Sequence, residues 1–240
     1  MQNLYIVMPA YNESENIYET LEQWYPVVEQ VGGDSRIVVV NDGSRDNTYS
    51  ILQDYAENHE RLIPLTKDNG GHGAAVLHGY RYALGKKCDF IFQTDSDGQT
   101  DPDEFWQFWE DRDRWDMIIG WRNARQDGLS RVFVTKTLRA VVRACFHVDA
   151  KDANTPFRLM SNESLAECLE LVPEGFNLAN VLLTVIYHKK GLRVRYVPIT
   201  FKPRQGGVNS INLPRIFGIG RQAFKDFRQA NRAIDESLRS

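Results

Sequence analysis

The sequence predicts an α/β fold built on a mostly parallel sheet. In the first half of the chain, short apolar runs of strand length alternate with segments whose apolar residues recur at helical spacing. The apolar runs are continuous, as in strands that helices cover on both faces. Each run ends in polar, acidic or glycine-rich residues. Because ligands bind at the carboxyl edge of such sheets, we expect the functional site there.

Five strands and four intervening helices are predicted before residue 121. The predicted strands are residues 4–8, 36–40, 62–66, 90–93 and 117–120, and the helices carry Ile17, Leu21, Trp24 and Val28, then Ile51, Leu52 and Tyr55, then residues 74–84, then Phe105, Phe108 and Trp109. Strands and helices at this spacing imply right-handed crossovers, which make neighbouring strands parallel. One edge of the sheet then collects four carboxylates. They belong to Asp42, Asp68, Asp95 and Asp97.

The regular alternation stops after residue 120. A polar loop at 121–128 precedes a predicted helix at 131–146, and residues 149–158 have the composition of a polar turn. Helical patterns follow at 161–171 and 177–189, and a last strand is predicted at 193–198. Residues 202–210 hold too many glycines and charges for a core element, so we expect a mobile loop over the site.

The tail from Leu213 has the pattern of a basic amphipathic helix. Between residues 215 and 232 it carries five basic side chains and Asp226 alone on the acidic side, a net charge of +4. Such a helix either lies on an anionic membrane surface or packs its apolar face on the domain, and packing is the favoured interpretation. We expect one domain at 1–210 and a helical tail at 211–240.

Length, net charge, cysteine spacing and the lack of long apolar runs limit the classes of protein to which the chain can belong. A chain of 240 residues can bury the core of a single domain, and a net charge of −3 gives no basic field for nucleic acid. Cys88, Cys145 and Cys168 lack metal-ligand spacing and fit a reducing compartment. No run of 18 apolar residues and no secretory signal is present. We therefore expect a cytoplasmic protein that contacts, at most, the cytosolic face of a membrane.

The fourth predicted strand ends in a cluster of carboxylates. Asp95 and Asp97 follow it directly, and Gln99 and Asp101 come next. Two hard oxygen donors two residues apart suit Mg²⁺ or Mn²⁺ with coordination positions left open for phosphate oxygens. The alternative is a polar turn that caps the next helix, since Asp101 followed by Pro102 is a common helix start.

Two other nucleotide-binding classes do not fit. A dinucleotide dehydrogenase needs a glycine-rich turn after the first strand, but residues 9–13 contain no glycine. The glycine-rich turn at residues 70–73 follows the third strand and lacks the Lys-Ser or Lys-Thr of a phosphate-binding P-loop. Its glycines more plausibly allow a tight turn or a close approach of the backbone to a ligand.

Five motifs in order resemble those of glycosyltransferase family 2. They are Val7-Met-Pro-Ala-Tyr-Asn-Glu13, Val40-Asn-Asp-Gly-Ser-Arg-Asp46, Asn69-Gly-Gly-His-Gly-Ala-Ala75, Gln93-Thr-Asp-Ser-Asp-Gly-Gln99 and Asp152-Ala-Asn-Thr-Pro-Phe-Arg158. The members of this family are inverting nucleotide-sugar transferases with the Rossmann-like GT-A fold. Within the family, the chain resembles the dolichol-phosphate mannose synthase-like and other polyprenyl-phosphate glycosyltransferases. The resemblance covers about residues 4–210 and implies a GT-A domain with flanking helices, and the residue pattern after it adds the C-terminal amphipathic helix.

The resemblance implies a donor site and a metal site. Pro9, Tyr11 and Glu13 would line the base and ribose pocket, and Asp42 would accept a hydrogen bond from a base N–H. The resemblance also implies that Mg²⁺ or Mn²⁺ bridges the diphosphate, and the metal ligands would be Asp95, Asp97 and Gln99. Such a metal stabilises charge on the departing nucleoside diphosphate. The donor would be a UDP-hexose or a GDP-hexose, because a carboxylate accepts from either base.

The resemblance also implies how an acceptor would be held. An alcohol needs a general base, whereas a phosphate monoester is already ionised at neutral pH and needs cations. Arg122, Arg131 and Arg204 correspond to arginines that grip acceptor phosphate in the lipid-phosphate subgroup, a role for which planar guanidinium groups are suited. Asp152 lies where related enzymes place a base or an acceptor-site carboxylate. It is the candidate base if the acceptor is a hydroxyl.

Two departures from the family pattern bear on the acceptor. Many members continue Arg-x-x-Gly-x-Ser-Lys, whereas residues 204–210 here lack the lysine. Thr155 and Pro156 replace the usual Ser or Thr followed by glycine, so the backbone there is stiffer. The Gln-x-x-Arg-Trp signature of processive polysaccharide synthases is absent from the sequence. Repeated extension of a polymer through a membrane is therefore not expected.

The sequence thus predicts an inverting transferase that moves one hexose to a polyprenyl phosphate, either dolichyl or undecaprenyl phosphate. The alternative within the same chemistry is transfer to a hydroxyl of a lipid-linked glycan or a cell-surface polysaccharide precursor. An alternative of another class is a non-catalytic nucleotide-binding scaffold for a membrane-protein partner. The cluster of like charges argues against that scaffold, because a retired site has no physical need to keep it. A nucleotidyltransferase would need a basic glycine-rich loop after the first strand, which the sequence lacks.

Overall fold

The computed structural model describes residues 2–86, 88–122, 129–202 and 226–238, with the side chains of residue 122 and residues 129–136 left out. Its strands are β1 (Leu4–Ala10), β2 (Arg36–Asp42), β3 (Leu62–Lys67), β4 (Phe90–Gln93), β5 (Met117–Arg122), β6 (Arg158–Ser161) and β7 (Val194–Ile199). Its helices are α1 (Ile17–Val31), α2 (Thr48–Ala56), α3 (His72–Leu84), α4 (Trp106–Glu110), α5 (Leu129–Phe146), α6 (Asn162–Leu169), α7 (Ala179–Lys189) and α8 (residues 226–237). None of the described helices is long and apolar enough to cross a membrane.

The strands form one mixed sheet in the order β3-β2-β1-β4-β6-β5-β7. Four of its six strand pairings are parallel, and β6 runs antiparallel to both of its neighbours. The predicted α/β class with a mostly parallel sheet is confirmed. Because β3, β2, β1 and β4 are parallel, the loops that follow them leave the sheet at the same edge.

Strand β6 is the element that the sequence analysis missed. The region before Ser161 was predicted as a polar turn, but Arg158 begins a strand that pairs with β4 from Gln93 to Phe90. The strand is only four residues long, and its Ser161 already caps α6 by accepting a hydrogen bond from the Ser164 N–H. Trp121 and Arg122 were likewise assigned to a loop, although they pair with β7 and extend β5. Short strands flanked by polar residues carry too little periodicity to be recognised.

Each central strand is buried on both faces. In β1, Val7 packs in the core cluster that includes α3 and α7, whereas Ile6 and Met8 pack in the cluster that includes α1. Val38 and Val39 of β2 divide between the two clusters in the same way. This arrangement explains the continuous apolar runs, because successive side chains of a strand point to opposite faces and both faces are covered.

An aromatic cluster supports the loop after β4. The Phe92 ring lies 5.4 Å from Trp24 of α1, 5.0 Å from Phe105 and 4.7 Å from Phe157, measured between ring centroids. All four side chains are buried. The loop that begins at Thr94 therefore starts from one of the most rigidly packed positions of the sheet.

The described part of the tail, α8, packs on the domain. Phe227 is fully buried, and its ring lies 5.2 Å from the Phe146 ring of α5. Ile234 is buried in the same core cluster, and the Asp235 carboxylate pairs with Lys189 of α7 at 2.5 Å. The apolar face of α8 is thus turned to the core. Residues 203–225, which hold the predicted loop over the site and the start of the predicted tail, lie outside the described part.

Candidate active site

A cleft of about 370 Å³ opens at the carboxyl edge of β1, β2 and β4. Its lining comprises Pro9, Ala10, Tyr11, Glu13, Asp42, Asn69, Gly71, His72, Ala75, Asp95, Ser96 and Asp97. Six of these residues were predicted as site residues, and they come from three separate loops of the chain. The sheet brings them together because its parallel strands deliver all three loops to one edge.

Asp42 is held by the loop that follows β3. Its carboxylate is buried, and its Oδ2 accepts a hydrogen bond from the Gly71 N–H at 2.7 Å. Its Oδ1 accepts from the Gly70 N–H at 2.9 Å and from Lys67 Nζ at 2.6 Å. A carboxylate offers about four lone-pair positions, so one remains on Oδ2 for a ligand.

Gly43 makes this approach of the two loops possible. Its φ is +67°, and an added Cβ would lie 2.7 Å from the Asn69 backbone nitrogen. The Asn69 side chain then donates from Nδ2 to the Asp42 carbonyl at 2.9 Å. A side chain at position 43 would separate the two loops and withdraw the glycine N–H groups from Asp42.

The loop after β1 is fastened to the loop after β2. Asn12 has a positive φ of 55°, its N–H donates to Ser44 Oγ at 3.0 Å, and its Oδ1 accepts from the Arg45 N–H at 2.8 Å. The Asp46 carboxylate accepts from the Ser14 N–H at 3.1 Å. These bonds fix the turn that presents Tyr11, whose side chain is 42% exposed at the cleft.

The pKa of Asp46 reflects the hydrogen bonds that join these two loops. Burial acts to raise the pKa of its carboxyl, but the hydrogen bonds from Thr48 and Ser14 outweigh burial and lower the pKa below its usual value. Thr48 donates from both its N–H and its hydroxyl to Asp46 Oδ1, at 3.0 and 2.5 Å. The ionised form of Asp46 is therefore the form that joins the two loops.

The loop after β4 is fixed against β1. Ser96 Oγ donates to the Pro9 carbonyl at 2.8 Å, and the Thr94 N–H donates to the Val7 carbonyl at 3.2 Å. Asp95 and Asp97 flank Ser96 and are both partly exposed at the cleft. The two carboxylates therefore belong to a rigid loop rather than to a mobile one.

The donor set fits a divalent cation with open coordination positions. Carboxylate oxygens are ligands that Mg²⁺ and Mn²⁺ prefer. Within the residues that the structure describes, no three His, Cys, Asp or Glu side chains form a group that could hold a metal by themselves. Asp95 and Asp97 would hold such a cation by their carboxylate oxygens and leave its other coordination positions open.

Gln99, predicted as a third metal ligand, is turned toward the chain after β7. Its Nε2 donates to the Lys202 carbonyl at 2.9 Å, and the Lys202 N–H donates back to the Gln99 carbonyl at 2.8 Å. Lys202 Nζ also pairs with Asp101 at 3.0 Å. Gln99 does not line the cleft. Its role as a metal ligand remains a prediction.

Of the four predicted acceptor residues, only Asp152 has a described side chain. Asp152 is buried in the connection between α5 and β6 and does not line the cleft. Arg122 ends β5 and Arg131 belongs to the first turn of α5, and only their backbones are described. Arg204 lies outside the described residues.

The sequence analysis missed Lys67, which does not line the cleft itself but pairs with the cleft residue Asp42. It ends β3 directly opposite Asp42 in the parallel register, and its ammonium neutralises that carboxylate. The register of β2 against β3 would have predicted this ion pair, because Asp42 and Lys67 are the last residues of these neighbouring strands. Six lining residues were not predicted as site residues, and they are Ala10, Asn69, Gly71, His72, Ala75 and Ser96. Arg158 was quoted only as part of a motif, although it is the largest charged side chain in the core.

Comparison with known proteins places the same region in one family. A family model described as glycosyl transferase family 2 matches residues 5–167. The undecaprenyl-phosphate 4-deoxy-4-formamido-L-arabinose transferase of Pectobacterium carotovorum is 30% identical over 146 residues, which are 60% of this chain and 44% of that protein. A dolichyl-phosphate β-glucosyltransferase of Trichomonas vaginalis is 39% identical over 105 residues, 41% of this chain and 30% of that protein. The chain thus spans less than half the length of these relatives.

Solved structures share the fold. The glucosyl-3-phosphoglycerate synthase of Mycobacterium tuberculosis, crystallised with Mn²⁺ and UDP-glucose, aligns with a TM-score of 0.67 at 16% identity. The alignment covers 95% of this chain and 79% of that one. The same enzyme with Mn²⁺, UDP and phosphoglyceric acid aligns with a TM-score of 0.69 over 96% of this chain and 78% of that one, at 16% identity. The predicted GT-A fold is confirmed.

Proposed function

The chain belongs to glycosyl transferase family 2, and we propose from this that it transfers a single hexose from a nucleotide-diphosphate sugar to a polyprenyl phosphate. The observation that carries the proposal is the cleft in which Asp42, Asp95 and Asp97 meet at the carboxyl edge of the sheet. The names of its relatives support a polyprenyl-phosphate acceptor. We further propose inversion at the sugar carbon in one displacement.

The nucleoside would occupy the side of the cleft formed by the loops after β1 and β2. Tyr11 offers an exposed aromatic ring beside Pro9, which suits stacking on a base. The remaining lone pair of Asp42 Oδ2 would accept one base N–H, while Lys67 balances the charge of the carboxylate. Uracil and guanine both present such an N–H. The solved neighbours that hold UDP favour uracil as the first base to test.

The diphosphate would lie beside Asp95 and Asp97. Mg²⁺ or Mn²⁺ bound there would stabilise the charge on the departing nucleoside diphosphate. Asp95 and Asp97 would hold the cation, with Gln99 as a further proposed ligand. The loop that carries the two aspartates is fastened to β1 through Ser96, so little rearrangement is needed before the cation and the diphosphate bind.

The acceptor phosphate would be held by cations rather than activated by a base. Its second pKa near 6 makes it a dianion at pH 7. We propose Arg122, Arg131 and Arg204 for this contact and Asp152 as a carboxylate of the acceptor side. With a hydroxyl acceptor, Asp152 would instead have to act as a base. A lipid acceptor also implies that the chain works at a membrane surface.

The test is a donor and acceptor screen in two stages. Calorimetry measures binding of UDP, GDP and CDP with and without Mn²⁺, and we expect micromolar, Mn²⁺-dependent binding of one nucleotide. Sugar transfer to undecaprenyl phosphate in detergent is then measured with UDP-glucose, GDP-mannose and UDP-4-deoxy-4-formamido-L-arabinose. A phosphate-free prenol of equal length is the matched control acceptor.

Transfer to undecaprenyl phosphate but not to the prenol would support the proposal. Transfer to the prenol alone would favour a hydroxyl acceptor and contradict it. Absence of nucleotide binding would contradict the proposed function, and nucleotide binding without transfer to either acceptor would favour a nucleotide-binding scaffold.

A further inference from the structure

Arg158 is a buried cation whose hydrogen bonds are complete. It has no exposed surface, and its Nε donates to the Thr155 carbonyl at 3.1 Å. Nη1 donates to the Asn180 carbonyl at 3.0 Å and to Thr184 Oγ1 at 3.2 Å. Nη2 donates to the carbonyls of Ala153 at 3.1 Å and Thr155 at 2.7 Å. A guanidinium has five N–H donors, so every one of them meets an uncharged oxygen.

These five bonds join two parts of the chain. Ala153 and Thr155 belong to the segment that begins at Asp152, while Asn180 and Thr184 belong to the first turns of α7. The Thr184 hydroxyl adds a second link, because it lies 3.2 Å from the Ala153 carbonyl and 2.8 Å from the Asn180 carbonyl. The guanidinium therefore acts as a clamp between the 152–155 segment and α7.

The α7 side of the clamp continues to the wall of the cleft. The residues just before α7 lie against the first turn of α3, where a Cβ added to Gly73 would lie 2.3 Å from the Phe176 carbonyl oxygen and 2.6 Å from that of Asn177. His72, the residue before Gly73, lines the cleft. A chain of contacts through Arg158, α7 and α3 thus connects the 152–155 segment to the cleft proposed for the donor.

Asp152 is close to the clamp. Burial lowers the pKa of the Arg158 guanidinium, while Tyr80, Tyr196 and Asp152 act in the opposite direction. The Asp152 carboxylate therefore interacts electrostatically with the Arg158 guanidinium. It is also attached directly to Ala153, whose carbonyl the guanidinium holds.

Stability alone does not account for this polar layer. Burying a charge among uncharged groups costs free energy that an apolar side chain would not. Thr155 Oγ1, the Asn180 amide and Gln93 Nε2 are also buried, and they have no hydrogen-bond partner among the described residues. Buried polar groups without hydrogen-bond partners, next to a buried cation, lower stability and are common at functional sites.

We propose that Arg158 is a positioning residue, which clamps the 152–155 segment to α7 and thereby fixes the position of Asp152, the carboxylate proposed for the acceptor. This inference rests on the proposed function. It predicts that loosening the clamp weakens use of the acceptor and leaves binding of the donor nucleotide unchanged.

Two sets of variants test the clamp. Arg158→Lys keeps the positive charge and removes the fork of donors. Thr184→Val keeps the shape of the side chain and removes its hydroxyl, while Thr184→Ser is the matched control that retains the hydroxyl. Three quantities are measured in the intact chain: UDP binding with Mn²⁺, the KM and kcat for undecaprenyl phosphate, and amide hydrogen exchange in peptides covering residues 150–157.

The clamp predicts a distinct pattern. Arg158→Lys should lower kcat/KM for undecaprenyl phosphate at least tenfold, Thr184→Val should lower it about threefold to tenfold, and Thr184→Ser should match the wild type. Amide exchange at 150–157 should accelerate in Arg158→Lys and Thr184→Val, while UDP affinity stays within twofold of the wild type.

Each of the following outcomes would contradict the inference for a different reason. If exchange accelerates but kcat/KM for undecaprenyl phosphate stays at the wild-type value, the segment does not position the acceptor. If UDP affinity falls as much as acceptor use does, Arg158 is a general structural residue. An inactive wild-type chain would instead contradict the proposed function, and the inference would fall with it. Thr184→Val keeps the test decisive if Arg158→Lys does not fold.

Discussion

Lys67 Nζ lies 2.6 Å from Asp42 Oδ1, and the two residues are the last members of neighbouring parallel strands. The Asp42 side chain is only 3% exposed and that of Lys67 is 22% exposed, so the pair is largely withdrawn from water. The two backbone N–H groups of Gly70 and Gly71 complete the anion site. The Asp42 carboxylate thus receives three hydrogen bonds from the chain itself.

Lys67→Met should expose how much this pair contributes. It leaves the Asp42 carboxylate buried with two hydrogen bonds but without its cation, and we expect a loss of about 1–3 kcal/mol in the free energy of unfolding. Lys67→Arg should recover most of that loss. Urea denaturation at pH 7 measures the difference.

Lys190→Met provides the matched control for Lys67→Met. Lys190 also makes an ion pair at 2.5 Å, but its partner Glu167 is 55% exposed. Removal of that pair should cost less than about 1 kcal/mol. Equal losses in the two variants would show that the Lys67 pair is an ordinary surface contact.

Asp95→Asn and Asp97→Asn test the proposed cation site. Each replaces a charged oxygen donor by a neutral one, so we expect Mn²⁺-dependent UDP affinity to fall at least tenfold and transfer to fall by about two to three orders of magnitude. Asp101→Asn is the control on the same loop, because its carboxylate caps the Asp103 N–H and pairs with Lys202. Calorimetry with UDP and Mn²⁺ measures the affinity. Unchanged affinity in both Asp95→Asn and Asp97→Asn would place the cation elsewhere.

The part of the site predicted from sequence is the part that follows strands of continuous apolar residues. Pro9, Asp42 and Asp95 each come at or just after the end of such a strand, and a parallel sheet brings strand ends to one edge whatever the details of packing. Lys67 escaped prediction because its role depends on strand register. Asp152 is placed by the clamp at Arg158, which involves residues about thirty positions apart, and local pattern carries no record of such contacts.

Asp46→Asn should weaken the fastening between the first two loops in a pH-dependent way. The folded pKa of Asp46 is depressed below the unfolded value of 3.8, so its contribution to stability is present above pH 4 and is lost as pH falls through the folded pKa. We expect the variant to lose roughly 0.5–1 kcal/mol at pH 7, because Asp46 is exposed and water replaces part of each bond.

Urea denaturation of wild type and Asp46→Asn at pH 7, 5, 4 and 3 measures this dependence. Asp54→Asn, an exposed position on α2, serves as the control and should follow the wild type at every pH. A difference between wild type and Asp46→Asn that persists undiminished at pH 3 would contradict the role of the ionised carboxylate.

Phe227→Ala should show whether α8 is an integral part of the folding unit. The Phe227 ring is fully buried between Phe146 and Phe176, with ring centroids 5.2 and 6.2 Å away, so its removal leaves a cavity in the core. We expect a loss of about 3–5 kcal/mol in the free energy of unfolding, within a single cooperative transition. Leu238→Ala, in the turn directly after the same helix and 39% exposed, should change it by less than about 0.5 kcal/mol. If α8 were a separable membrane-binding appendage, the unfolding transition of Phe227→Ala would coincide with that of the wild type, and binding to anionic vesicles would fall instead.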